Sequence, residues 1–62
     1  MVIKFFFKEK EKAQEFRAFM EGKGFWMFGR HEVVMPIHPS ITPEEAKRLL
    51  EESGHQARIV RE

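Results

Sequence analysis

The segment AQEFRAFMEGKG at residues 13–24 aligns without a gap on PEEAKRLLEESG at residues 43–54, an offset of 30 residues. Three positions are identical: Glu15 with Glu45, Glu21 with Glu51 and Gly24 with Gly54. Phe16, Phe19 and Met20 fall on Ala46, Leu49 and Leu50, one apolar helical stripe at i, i+3, i+4 written twice. Each stripe is closed by a glycine, which enters the left-handed conformation after a last helical turn without steric cost. A duplicated helix with a duplicated stop is architectural information, because an internal repeat fixes the unit from which a fold is built.

The likeness extends outward on both sides. Ile3, Phe5 and Phe7 fall on Val33, Met35 and Ile37, and their period-two alternation predicts a strand before each helix. After each glycine comes another apolar or mixed run, Phe25 to Phe28 in the first half and Gln56 to Val60 in the second. The predicted order is strand-helix-strand twice, in halves 2–29 and 32–61 of a single domain spanning 1–62, with Gly29-Arg30-His31-Glu32 as the connecting turn. Two right-handed crossovers joined by a hairpin match, by analogy, a ferredoxin-like βαββαβ sandwich. That is an α+β fold whose four-stranded antiparallel sheet has the order 4-1-3-2 and carries both helices on one face.

Thr42-Pro43-Glu44-Glu45 is the strongest local signal: Thr42 suits an N-cap, Pro43 the first helical position, and Glu45 can bond back to the cap amide. Ile41 and Ala46 are placed to form a small hydrophobic staple, and the helix is predicted over 43–53. The first helix, over 9–22, starts in the charge run Lys8 to Lys12 with no Ser, Thr, Asp or Asn to cap it. That run reads as a solvated helix start with i,i+4 pairing.

A chain of 62 residues buries only about 60% of the surface its unfolded form exposes, so the core is small. There is no cysteine, which excludes disulfides, thiolate metal sites and the ferredoxin and metallochaperone chemistries that use them. Seven Phe, one Trp and four Met supply enough large apolar groups for a packed domain although a third of the residues are charged. Eleven basic against ten acidic residues give no general positive field, so a nucleic-acid site would have to be local. The N-terminal apolar run is far too short to span a membrane and has no small-residue cleavage site, which predicts a cytosolic protein. Every acidic residue is Glu, with no Asp or Asn, a composition that matches heat-adapted proteins.

Alternation predicts a helix-covered face of Ile3, Phe5, Phe7, Phe25, Met27, Val33, Met35, Ile37, Ala57 and Ile59. The opposite face is then Lys4, Phe6, Trp26, Phe28, Val34, Arg58 and Val60. Trp26, Phe28, Phe6 and Val34 would form one apolar patch, too large for bare solvent. The leading expectation is a non-enzymatic binding module that uses Phe6, Trp26, Phe28, Val34, Lys4, Arg30 and Arg58 to hold a protein, either a second copy packed sheet on sheet or a heterologous partner. The sequence Phe-Trp-Met-Phe on an edge strand invites strand addition, since natural edges usually carry charge or proline. An alternative is single-stranded RNA stacked on Phe6, Trp26 and Phe28 beside Lys4, Arg30 and Arg58. The RNA-recognition motif shares the βαββαβ order, but its basic and aromatic octamer on the third strand is absent from His31-Glu32-Val33-Val34-Met35-Pro36-Ile37.

Two family resemblances are carried by motifs. Residues 13–28 and 44–60 loosely resemble the αβ units of the SPOR peptidoglycan-binding domain, an alanine-containing helix, a glycine and a strand. Gly24 to His31 followed by Val34-Met35-Pro36-Ile37-His38 resembles the HicA family of small mRNA-cleaving toxins, which implies His31 as the acid/base group, one able to deprotonate a ribose 2′-hydroxyl. The pattern departs from that family in having strands before the first helix and after the second. His31, His38 and His55 have no local ligand spacing, so they are expected to be surface histidines, with no metal or cofactor implied.

Overall fold

Thr42 accepts a hydrogen bond from the Glu45 backbone N–H at 3.2 Å, and behind this cap Pro43–Ser53 forms a helix. A computed structural model describes residues 3–37 and 41–61. Its elements run β1 (Ile3–Phe6), α1 (Lys10–Gly22), β2 (Met27–Arg30), β3 (Val33–Pro36), α2 (Pro43–Ser53) and β4 (Arg58–Arg61). The sheet is antiparallel throughout and ordered β2-β3-β1-β4, which is the predicted strand order and is consistent with a ferredoxin-like arrangement. The Glu45 carboxylate does not close the expected capping box but lies 3.9 Å from Arg48.

Both helices end on left-handed glycines, Gly24 at φ 95° and Gly54 at φ 79°. At the first, the N–H of Phe25 donates to the Met20 carbonyl and that of Gly24 to the Glu21 carbonyl, both at 3.0 Å, the paired bonds of a Schellman motif. At the second, the Gly54 N–H donates to the Glu51 carbonyl at 3.2 Å.

The core lies between the helices and one face of the sheet. Phe5, Phe16 and Met20 are fully buried, and the Phe5 and Phe16 rings lie 4.8 Å apart at 55°. Ala13, Phe16 and Met20 from α1 meet Ala46, Leu49 and Leu50 from α2, so the stripe predicted at the 30-residue offset faces inward in both helices. Lys23 and Glu52 form an ion pair that ties the end of α1 to α2.

The β3 strand departs from the expectation. Val34 is 1% exposed and pairs with Phe5, whereas Val33 pairs with Phe6, so Val34 faces the helices and Val33, Met35 and Ile37 face the other way. Ile37, expected in the core, is 57% exposed. The physical reason is the hairpin. Arg30 pairs directly with Val33, leaving His31 and Glu32 as a two-residue turn, and β2 runs 27–30 instead of 25–28. Across that turn every paired number sums to 63, so odd-numbered inward residues on β2 face even-numbered ones on β3. An ungapped offset of 30 preserves parity and therefore maps the inward side of β1 onto the outward side of β3.

Candidate functional site

The sheet face away from the helices carries Phe6 from β1, Phe28 and Arg30 from β2, Val33 and Met35 from β3, and Arg58 and Val60 from β4, with Lys4 among them. Trp26 joins them just before β2. The Ile37 N–H donates to its carbonyl at 3.0 Å, which continues the hairpin register and sets Trp26 opposite Ile37. Trp26 is 68% exposed and Phe28 52%. Phe28 pairs with Met35, and Lys4 with Val60.

One rung crosses all four strands in the order Arg30, Val33, Phe6, Arg58. An arginine therefore stands at each end of an apolar centre, with backbones about 14 Å apart over three interstrand spacings. The Arg58 guanidinium lies 5.4 Å from the centre of the Phe6 ring, close enough for a cation–π contact. Among the described residues neither Arg30 nor Arg58 is in an ion pair, and the face carries no carboxylate. The described acids lie on the helices, just before α1 at Glu9, or at Glu32 in the turn. The described residues of this face thus combine exposed aromatic rings with two arginines.

Six of the seven predicted contact residues, Lys4, Phe6, Trp26, Phe28, Arg30 and Arg58, come together there. Val34 does not; it is a core residue beneath Gly29, which it pairs with. Sequence reading missed Val33, Met35 and Ile37, whose outward direction follows once the turn is known to have two residues. Gly29 faces the helices, and the Arg17 side chain lies over it, 3.3 Å from where a Cβ would stand.

His31 occupies the hairpin turn at φ 55° and is the sole non-glycine residue with positive φ among those described. It is exposed, beside a recess of about 60 Å³ lined in part by Gln14, Arg17 and Arg30. That space holds a water or two rather than a nucleotide. His55 is not a free surface residue: its side chain is 17% exposed and its ring meets Phe7 and Phe16 edge-on at 6.4 and 6.5 Å. Its Nε2 lies 3.7 Å from a Glu15 carboxylate oxygen. His38 lies outside the described residues. Among the described residues no three potential metal ligands come together, and no helix is long and apolar enough to cross a membrane.

Comparison with protein families, with curated proteins and with solved structures finds no match. The SPOR-like and HicA-like resemblances therefore stand on their residue patterns alone.

Proposed function

We propose that this protein is a non-enzymatic binding module whose open sheet face holds a single-stranded nucleic acid. The observation that carries the reading is the coincidence, on one face, of exposed rings at Trp26 and Phe28 with the guanidinium groups of Arg30 and Arg58, and no carboxylate among the described residues. Bases offer flat π surfaces to such rings whatever their sequence, and phosphates offer charge to the arginines. A ferredoxin-like sheet with both helices behind it leaves this face accessible; related four-stranded sheets stack two or three bases.

The same charge pattern weighs against the leading sequence-based expectation, two copies packed face on face. Such a layer would enclose four guanidinium groups without a described counter-charge, and unpaired buried charge costs several kcal/mol per ion. A heterologous protein partner would need to be acidic.

Trp26 is the only tryptophan, so the site carries its own fluorescent reporter. Titrating the protein with oligo-dT and oligo-U at low salt is expected to quench this emission to saturation, with duplex DNA quenching far less. The logarithm of affinity should fall with that of salt at a slope of about −1.4, for two phosphates neutralised on a single strand. Trp26→Ala should weaken binding about 5- to 150-fold, the worth of one stacked base. No quenching by any single strand at low salt removes the nucleic-acid reading, and RNA cleavage that His31→Ala abolishes would support the HicA-like one.

A further inference from the structure

Strand β2 is one of the two sheet edges, so one of its sides has no neighbouring strand. The bond between Ile37 and Trp26 makes theirs a hydrogen-bonded pair. By antiparallel alternation, Phe28 with Met35 and Arg30 with Val33 are bonded pairs too. Met27 and Gly29, between them, therefore point their N–H and C=O groups away from β3, off the edge. No proline and no charged side chain interrupts residues 26–29, although such devices usually guard an edge.

We propose that β2 pairs antiparallel with β2 of a second copy of this chain, in the register that sets Phe28 opposite Phe28. The two-fold axis is perpendicular to the sheet, so inward residues must meet inward residues and paired numbers must sum to an even value. A sum of 56 sets Met27 against Gly29 of the second copy, and Gly29 against its Met27. All four residues have free edge groups, giving four hydrogen bonds. A sum of 54 spends the N–H of Phe25, which already bonds Met20. A sum of 58 draws in His31, whose φ of 55° is not extended.

Side chains agree with the backbone. In the 56 register Phe28 meets Phe28, and Trp26 meets Arg30 of the second copy twice over, an aromatic pair flanked by two cation–π pairs. These are non-hydrogen-bonded pairs, where facing side chains come closest. The two copies' Arg30 groups stand four residues apart along the strands, about 13 Å. On the helix side Arg17, whose side chain lies over Gly29, is already paired with Glu21 at 3.3 Å. The product is an eight-stranded sheet with all four helices behind it. The pairing does not depend on what the open face binds.

The natural absence of cysteine makes the register directly testable. Phe28→Cys, Trp26→Cys and Arg30→Cys are each prepared singly, checked for folding by circular dichroism, and oxidised without nucleic acid. The 56 register predicts a disulfide-linked dimer for Phe28→Cys at least tenfold faster than for either of the others. Equal or faster cross-linking at Trp26 or Arg30 overturns it. Independently of any cysteine variant, sedimentation of the native chain should rise with concentration toward twice the monomer mass, and Phe28→Glu should return it to monomer. A native chain that stays monomeric to millimolar concentration, or a dimer untouched by Phe28→Glu, overturns the proposal.

Discussion

Replacing Val34 and Val33 in turn separates the two sides of β3. Val34 is 1% exposed, opposite Phe5 and among the most deeply buried side chains; Val33 is half-buried on the open face. Val34→Ala removes the equivalent of two methylene groups, about 1.6 kcal/mol at 0.8 kcal/mol each, and the unfilled cavity brings the loss to about 2–3 kcal/mol. A chain of this length has a total stability on the order of 3–9 kcal/mol, so the loss is a large share of it. At about 4–8 °C per kcal/mol the midpoint of thermal unfolding should fall by roughly 10–20 °C. Val33→Ala should cost about 1 kcal/mol and lower it by about 4–8 °C, because that side chain is partly exposed and its removal leaves no enclosed cavity. Aspartate sharpens the contrast, since Val34→Asp should not fold whereas Val33→Asp should. Thermal melts followed by circular dichroism at 222 nm read all four variants. If Val33 proves as costly as Val34, or more so, the parity assigned to β3 is wrong and Met35 and Ile37 leave the binding face with it.

Two further substitutions examine backbone conformations rather than packing. Gly54 sits at φ 79° with nothing within 4 Å of a Cβ position, so Gly54→Ala should cost about 1–2 kcal/mol through the left-handed backbone alone, measurable by urea denaturation. His31 at φ 55° should be replaced by glycine at little cost or a small gain; β-branched His31→Val should be about 1–2 kcal/mol less stable than His31→Gly, and equal stability of the two would refute a strained turn.

The helices were legible because their signals are local. Thr42 and Pro43 announce one start, Gly24 and Gly54 announce both ends, and the stripes of Phe16 with Met20 and Leu49 with Leu50 repeat at the helical period. The strand order came by analogy with ferredoxin-like sandwiches and stands in the sheet. The phase of β3 was not legible from alternation, because Val33-Val34-Met35-Pro36-Ile37 is apolar on both sides and offers no polar residue to mark water. Only the turn could have decided it. No Asn-Gly or Asp-Gly marks a two-residue hairpin here; His31 takes the positive φ instead, a residue type in which that conformation is enriched but seldom diagnostic. The charge pattern of the open face was hidden for a different reason. A net charge of +1 averages the helices, which hold most of the acids, with a sheet face on which the described residues hold none.

The two edge strands each follow a helix at opposite sides of the sheet, and their differences determine what can assemble. Met27 and Ala57 share one parity, as do Phe28 and Arg58, so β2 and β4 present corresponding positions to the same faces. β4 instead carries an exposed arginine at each end, Arg58 on the open face and Arg61 on the helix side, and either one set against its own copy across a β4–β4 junction would repel. On β2 the corresponding stretch holds Trp26 and Phe28, with a single arginine placed to meet a ring. An edge that pairs with itself about a two-fold axis closes, whereas β2 pairing with β4 of another copy would propagate head to tail into a fibre. The charged β4 edge opposes that growth, which makes two copies the natural end point. A Phe28-to-Phe28 junction also sets the two Trp26–Phe28 patches side by side, so one strand of nucleic acid running from one copy's Arg58 to the other's would cross the Phe6 ring, the aliphatic Val33 and Met35, and the joined aromatic patches. Substituting Arg61 and Arg58 together by Thr should therefore convert a limited dimer into concentration-dependent higher assemblies, detectable by light scattering, and an unchanged dimer would show that β4 is guarded by something other than its charges.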